Sequence, residues 1–391
     1  MILLNQLLKS IGAAEASNHF HFLTKKEETC AYLVSNLGIN GKLCPIFHWN
    51  AIWHHRIAVE ISAQLFEDSD KIAPIRESLK VYRENYNRMY STMPLRSNKS
   101  FSYYLGAIAL DAINEEYNEK NFKTFYRITK HLVGDGAFIE GSHYSLFCSQ
   151  SFDRIRPLLQ SFYKENILWK DLCEVMEKLE DWQRIISNNE GVIASIGDSW
   201  YEKVEPSDKT GMFSYKDMTV HKNKRWTIVR NHRKSPWALH EHPHLTEVLV
   251  AKDDEWIVQG SGMPSYKHIM SNPIRWRRPR NHFYIEPSFD FIWLWRLCKS
   301  TNKVRMITLN EDDVSVYDDG FLTIRWPFEG NYEWKTNSNE VTFKYKNGSF
   351  KVRGNIDNVK KGFSWQSTSY RKFKKVDVIR IEGRDLTTII K

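Results

Sequence analysis

The chain has 391 residues, 41% hydrophobic and 14% aromatic, with 56 basic against 47 acidic side chains and a formal net charge of +9. This is enough apolar material for a large core spread over two modules, and the positive excess favours an anionic partner, nucleic acid or acidic polysaccharide, by steering. Cys30, Cys44, Cys148, Cys173 and Cys298 are odd in number, widely spaced and without a CxxC pair, so neither a disulfide framework nor a thiolate zinc site is indicated, and a reducing compartment fits best.

The opening run MILLNQLLKSIGAAEASNHF is broken by Lys9, has no basic region ahead of it and is too short to span a bilayer. The expectation is a chain without a transmembrane segment, cytoplasmic, or periplasmic if a leader has been processed away. Up to about Asn189 the pattern is helical. Ile75, Leu79, Tyr82, Tyr86 and Met89 recur at steps of three and four, as do Leu105, Ile108, Ala109, Ala112 and Ile113, and Leu168, Leu172, Val175, Leu179 and Trp182. Further helices are expected at Trp53 to Leu65, Phe122 to Leu132 and Phe152 to Tyr163, with Pro94, Gly134, Gly136 and Gly141 in the loops between them.

Ser187 to Asp208, rich in Asn, Ser, Gly and Asp, reads as the boundary. From Phe213 onward short β-branched runs take over: Trp226 to Val229, Thr246 to Val250, Phe321 to Trp326, Val341 to Tyr345, Ser349 to Val352 and Val376 to Ile381. The pairs Asp319–Gly320, Asn347–Gly348 and Glu382–Gly383 are expected to separate them as turns, the signature of an antiparallel sandwich. The chain therefore reads as α+β and multidomain: a helical module over residues 1–205, then an antiparallel β-sandwich over residues 206–391.

Chemistry-bearing residues concentrate in Ala238 to Tyr266. His240, His242 and His244 alternate, so a strand would present all three imidazoles on one face, either as packing residues or as titrating or metal-ligating groups. The acidic turn Lys252 to Glu255 and the run Trp256 to Val258 complete a hairpin that breaks at Gly260 and Gly262. In the helical half, GDGAFIEGSHYSLFCS reads as a glycine-marked loop carrying Asp135, Glu140, His143 and Tyr144, either a plain helix connection or the place where a phenol is held for proton transfer. LRSNKSF precedes a helix, with Asn98 or Ser100 as its N-cap or as a functional group.

Taken in order, NKSFSYYLGAIAL, DGAFIEGSHYS, ASIGDSW, HEHPHLTEVLV, IVQGSGMPSY and RRPRNHFYIEP resemble the heparinase II/III-like polysaccharide lyases, related to alginate and oligoalginate lyases. The resemblance covers about Asn98 to Pro287 and implies an incomplete α/α toroid followed by an antiparallel β-sandwich. It implies β-elimination at a uronic acid: a base takes the proton at C5, the carboxylate is neutralised, and an acid protonates the departing O4. Carried over residue by residue, Asn98 neutralises the carboxylate, Tyr144 abstracts or returns the proton, and His240 takes the complementary role. His242 and His282 match positions that hold a structural zinc in several members.

The chain also departs from the pattern. Lys99 stands where a His often follows the Asn, still a cation for a carboxylate but a flexible one. Gln259 to Gly262 replace the Asp-bearing stretch of the hairpin, and His244 and Leu245 the usual residue after the second histidine. The carboxylate ligand is thus missing and zinc is not required. The basic cluster RWRRPR, with Arg278 and Arg280, and Arg230 upstream, reads as a solvated edge, a nucleic-acid stripe or a polyanion site. The absence of any nucleic-acid motif and the presence of tryptophans such as Trp237 favour an anionic polysaccharide or oligosaccharide. Lys99, His143, Arg230, Trp237, Arg278 and Arg280 are the candidate substrate contacts. The alternative to a lyase is a non-catalytic or repurposed glycan-binding or glycan-modifying protein of surface polysaccharide biosynthesis.

Overall fold

The computed structural model describes residues 97–197, 199, 201–231, 247–259, 305–328, 333–337, 339–345, 348–369 and 372–391. It also describes His55, Ala58, Val59, Ser62, Ala63, Leu65, Phe66, Glu67, Lys80, Arg83 and Tyr86. They belong to two compact units, one within Met1–Glu140 and Tyr144–Glu180, the other within Gly141–His143 and Asp181–Lys391.

Helices α1 (Asn98–Ile113), α2 (Glu119–Val133), α3 (Ser142–Tyr163) and α4 (Ile167–Ile185) follow the expected order. The positions described between His55 and Tyr86 are helical as well. The periodicity of Leu105 to Ile113 suggests one apolar face, yet α1 is buried on every side, with Tyr104 alone only half-buried. A helix this apolar is stable only inside a core, and Phe101 meets Phe125 of α2 with ring centres 5.0 Å apart. Phe122 stacks on Tyr163 at 4.4 Å. A polar layer also runs through this unit. Arg83 Nε donates to Asp111 Oδ1 at 2.5 Å, Asn121 Nδ2 donates to Asp111 Oδ2 at 2.9 Å, and Tyr86 Oη lies 2.6 Å from His55 Nδ1.

The second unit holds two antiparallel sheets. The first is a five-stranded meander, β1 (Gly211–Tyr215), β2 (Met218–Lys222), β3 (Trp226–Asn231), β4 (Glu247–Lys252) and β5 (Glu255–Val258). The second contains β6 (Arg305–Leu309), β7 (Val314–Phe328), β8 (Glu333–Thr336), β9 (Glu340–Tyr345), β10 (Gly348–Ser369) and β11 (Lys372–Ile390), in the order β6-β7-β11-β10-β9-β8. Trp226, Ile228, Val248 and Val250 of the first sheet share one core with Val316, Phe343, Val352 and Ile381 of the second. Alternate residues of both sheets supply that core, as face-to-face packing requires.

The dipeptides Asp319–Gly320 and Glu382–Gly383 do not separate strands: they lie inside β7 and β11. The pairing of β10 with β11 slips between Arg353 and Asn355 and again between Ile356 and Asn358, the latter opposite Glu382 and Gly383. The β11–β7 pairing slips between Arg384 and Leu386. Gly354 at φ +141° and Asp385 at φ +50° sit in these slips. The turn chemistry marks bulges in long strands, because left-handed backbone serves an extra residue as well as a chain reversal. The acidic turn does reverse the chain: Lys252 pairs with Glu255 across Asp253 and Asp254, with Asp253 at φ +51°.

Candidate functional site

Ser97, rather than Asn98 or Ser100, caps α1. Its backbone is extended, its hydroxyl accepts the Ser100 N–H, and the Ser100 hydroxyl accepts the Ser97 N–H in return, a capping box. Asn98 is therefore the first helical residue. Its main-chain N–H donates to Glu140 Oε2 at 3.1 Å, and its carbonyl accepts from Ser102 Oγ at 2.8 Å. Its side chain is fully buried, and neither Oδ1 nor Nδ2 has a hydrogen-bond partner among the described residues. A buried amide left unsatisfied costs free energy comparable to a lost hydrogen bond and calls for an explanation. Lys99 beside it is 7% exposed and Tyr144 likewise 7%.

Tyr144 does not stand in a loop. The glycine-marked stretch ends at Gly141, and Ser142, His143 and Tyr144 form the first turn of α3. Gly141 has φ +98°, and a Cβ there would collide with the Ile196 carbonyl oxygen. Ser142 is fastened to the same residue: its N–H donates to the Ile196 carbonyl at 3.1 Å, and its Oγ accepts the Ile196 N–H at 3.2 Å. His143 Nδ1 lies 2.8 Å from Glu202 Oε1, both side chains being largely buried. That carboxylate fixes the orientation of the imidazole.

Gln259 completes this half. Its Oε1 accepts the Ser195 N–H at 2.7 Å and its Nε2 donates to the Ile193 carbonyl at 3.2 Å. An aspartate would reach less far and has no donor for the carbonyl. Three of the sequence stretches singled out above, around Ser142, Ile196 and Gln259, are thus joined through main-chain hydrogen bonds. Glu140 and Glu202, which hold Asn98 and His143, were not assigned roles from the sequence. The available signal was that Glu140 lies within the Tyr144 motif itself.

Arg230 is half-buried in β3, on the face it shares with Ile228 and Trp226, and its Nε has no partner among the described residues. Burial, with the Arg230 charge second, lowers the pKa of His221. On the opposite face Lys222 Nζ donates to the carbonyls of Ser187 at 2.8 Å and Arg184 at 3.3 Å, and burial lowers its pKa to about 8. His240, His242, Trp237, Arg278, Arg280 and His282 lie outside the described residues. Among the described residues no three His, Cys, Asp or Glu side chains gather closely enough to hold a metal.

No protein-family model matches the sequence, and no curated protein aligns with it. Solved structures do. A heparinase III gene product superposes with a TM-score of 0.63 at 13% identity, over 95% of this chain and 70% of that one. The heparan sulfate lyase from Pedobacter heparinus superposes with a TM-score of 0.60 at 13% identity, over 93% of this chain and 71% of that one. A further heparinase III gives 0.64 at 12% identity, over 93% and 72%. The fold is heparinase III-like. At these identities the likeness is one of architecture, a heparinase-like polysaccharide lyase fold with helices preceding two antiparallel sheets. No described helix of this heparinase-like chain is long and apolar enough to cross a membrane.

Proposed function

We propose that the protein is a polysaccharide lyase that cleaves a uronate-containing acidic glycan by β-elimination, and that its helical half is an incomplete α/α toroid. The heparinase-like fold supports the reaction class, and the unpartnered, buried amide of Asn98 carries the assignment. An amide with both atoms open can donate to a uronate carboxylate as charge builds up after C5–H cleavage. In a dry environment such a donor acts at far more than its aqueous strength.

In this reading the Tyr144 phenol exchanges the C5 proton and His240 serves the departing O4 as the complementary acid or base. Lys99 adds positive charge near the carboxylate, and His143, Arg230, Trp237, Arg278 and Arg280 contact the remaining acidic sugar. No step passes through zinc. His242 and His282 would be its imidazole ligands, but Gln259 stands where the resemblance implies a carboxylate, and both ends of its amide are taken by main chain. Since Asn98 and Tyr144 are covered, admitting a sugar requires the surrounding chain to move aside.

The test is a screen of acidic polysaccharides, heparan sulfate and alginate among them, for new near-ultraviolet absorbance and for product mass. Elimination conserves total mass, hydrolysis adds water, and transfer requires an activated donor. Asn98→Ala is expected to lower kcat on the order of 10²–10³-fold, and Tyr144→Phe and His240→Ala to abolish unsaturated products, all three remaining folded by circular dichroism. Retained turnover in the Tyr144 and His240 variants removes those assignments. The replacement of a carboxylate by Gln259 and the Lys99 substitution favour a second reading, a glycan-binding or glycan-modifying relative, which predicts binding without new double bonds.

A further inference from the structure

We propose that Glu140 is a positioning residue that holds the Asn98 amide and the Tyr144 turn in one frame, a role that rests on the lyase reading above. Glu140 has no exposed surface, and its Oε2 takes the Asn98 main-chain N–H from 42 residues away. That N–H is one of those a helix start leaves without an internal partner. The first turn of α1 contains no acidic side chain of its own, so Glu140 supplies from another element the acceptor that this helix start lacks.

The consequence falls on the Asn98 side chain. With its N–H held by Glu140 and its carbonyl by Ser102, both main-chain polar groups of Asn98 are clamped, and the direction of its Cβ follows. The amide, which neither clamp engages, stands where that backbone puts it. Glu140 also immediately precedes Gly141, whose left-handed turn starts the helix bearing Tyr144. One buried carboxylate therefore references the proposed neutralising group and the proposed base to each other. A plain helix cap would stabilise α1 without setting the amide, and this is the difference to be measured.

The experiment uses the full chain labelled with 15N-asparagine, the Asn98 side-chain signals being identified by their loss in Asn98→Asp, with heparan sulfate and alginate as kinetic probes. In Glu140→Gln the Asn98 side-chain signals are expected to shift, and kcat to fall on the order of 10²-fold with KM within about twofold. Glu140→Asp, which keeps the carboxyl group, is expected to regain part of both, and supplies the same readouts if Glu140→Gln does not fold. Ser97→Ala loosens the same helix end but leaves the carboxylate: it is expected to lower the melting temperature while the Asn98 signals and kcat stay within about twofold of the parent. Asn98 signals unmoved by Glu140→Gln, or moved equally by Ser97→Ala, reduce Glu140 to a helix cap and overturn the proposal. Signals that respond as expected, in a chain that releases no unsaturated product from either polysaccharide, uphold the hold on Asn98 and sink the lyase reading instead.

Discussion

Lys222 sets a pH dependence whose sign follows from its burial. The ammonium is displaced from water, which lowers its pKa from the ordinary 10.5 to about 8, while Asp208 pulls weakly the other way. Between those limits the unfolded chain binds the proton more readily than the folded one, so stability rises with pH across that window. Below pH 8 both states carry the charge and the burial cost is constant. The neutral amine keeps enough donors for the Ser187 and Arg184 carbonyls. Urea denaturation of the parent and Lys222→Met in parallel should give a stability difference that is flat below pH 8 and grows in favour of the parent up to about pH 10.5. A difference that stays level throughout would mean that the ammonium is solvated. The Arg83–Asp111 pair belongs to the same scale, with side chains 5% and 2% exposed. Asp111→Ala takes the carboxylate away from a buried guanidinium and is expected to cost about 3–5 kcal/mol by chemical denaturation.

At the scale of elements, the long strands owe their shape to residues that usually end strands. Gly354 combines φ +141° with an Asp385 carbonyl where its Cβ would lie. Gly354→Ala should therefore cost about 1–3 kcal/mol of stability, read as a lower denaturant midpoint with little change in slope. The same place shows what the sequence discloses. The period-two runs located β3, β4, β5 and β9 to within a residue or two, because half-buried strands print their facing on the chain. Asp319–Gly320 and Glu382–Gly383 read as turns yet lie inside strands, since a bulge and a reversal demand the same local backbone and differ only in whether the partner strand continues. The start of α3 was hidden for a related reason. Gly141 and Ser142 look like loop residues, and what begins the helix there is the hold of Ser142 on Ile196, 54 positions later.

For the whole molecule, the order of a helical half and a sheet half was legible because the hydrophobic period changes from near four to two within the chain. The candidate site was legible only in part. Asn98 and Tyr144 stand out by motif, but nothing local marks Glu140 as the acceptor of a main-chain N–H far upstream, or Gln259 as a main-chain strut. The net charge of +9 bears on association as a whole. Binding of an acidic polysaccharide should weaken steeply as salt rises from 0.05 to 0.5 M, as screening shortens the reach of the positive field. Affinity by calorimetry that is indifferent to salt would exclude a polyanionic partner.

The pairing of β7 with β11 runs from Val314 with Ile390 to Phe328 with Asp377, and beyond it, among the described residues, β10 and β11 continue alone to Ser369 and Lys372. A ladder two strands wide has little to hold it together in water and offers its outer amides and carbonyls to any neighbour able to match them. This two-stranded stretch is thus where proteases should nick the native protein first.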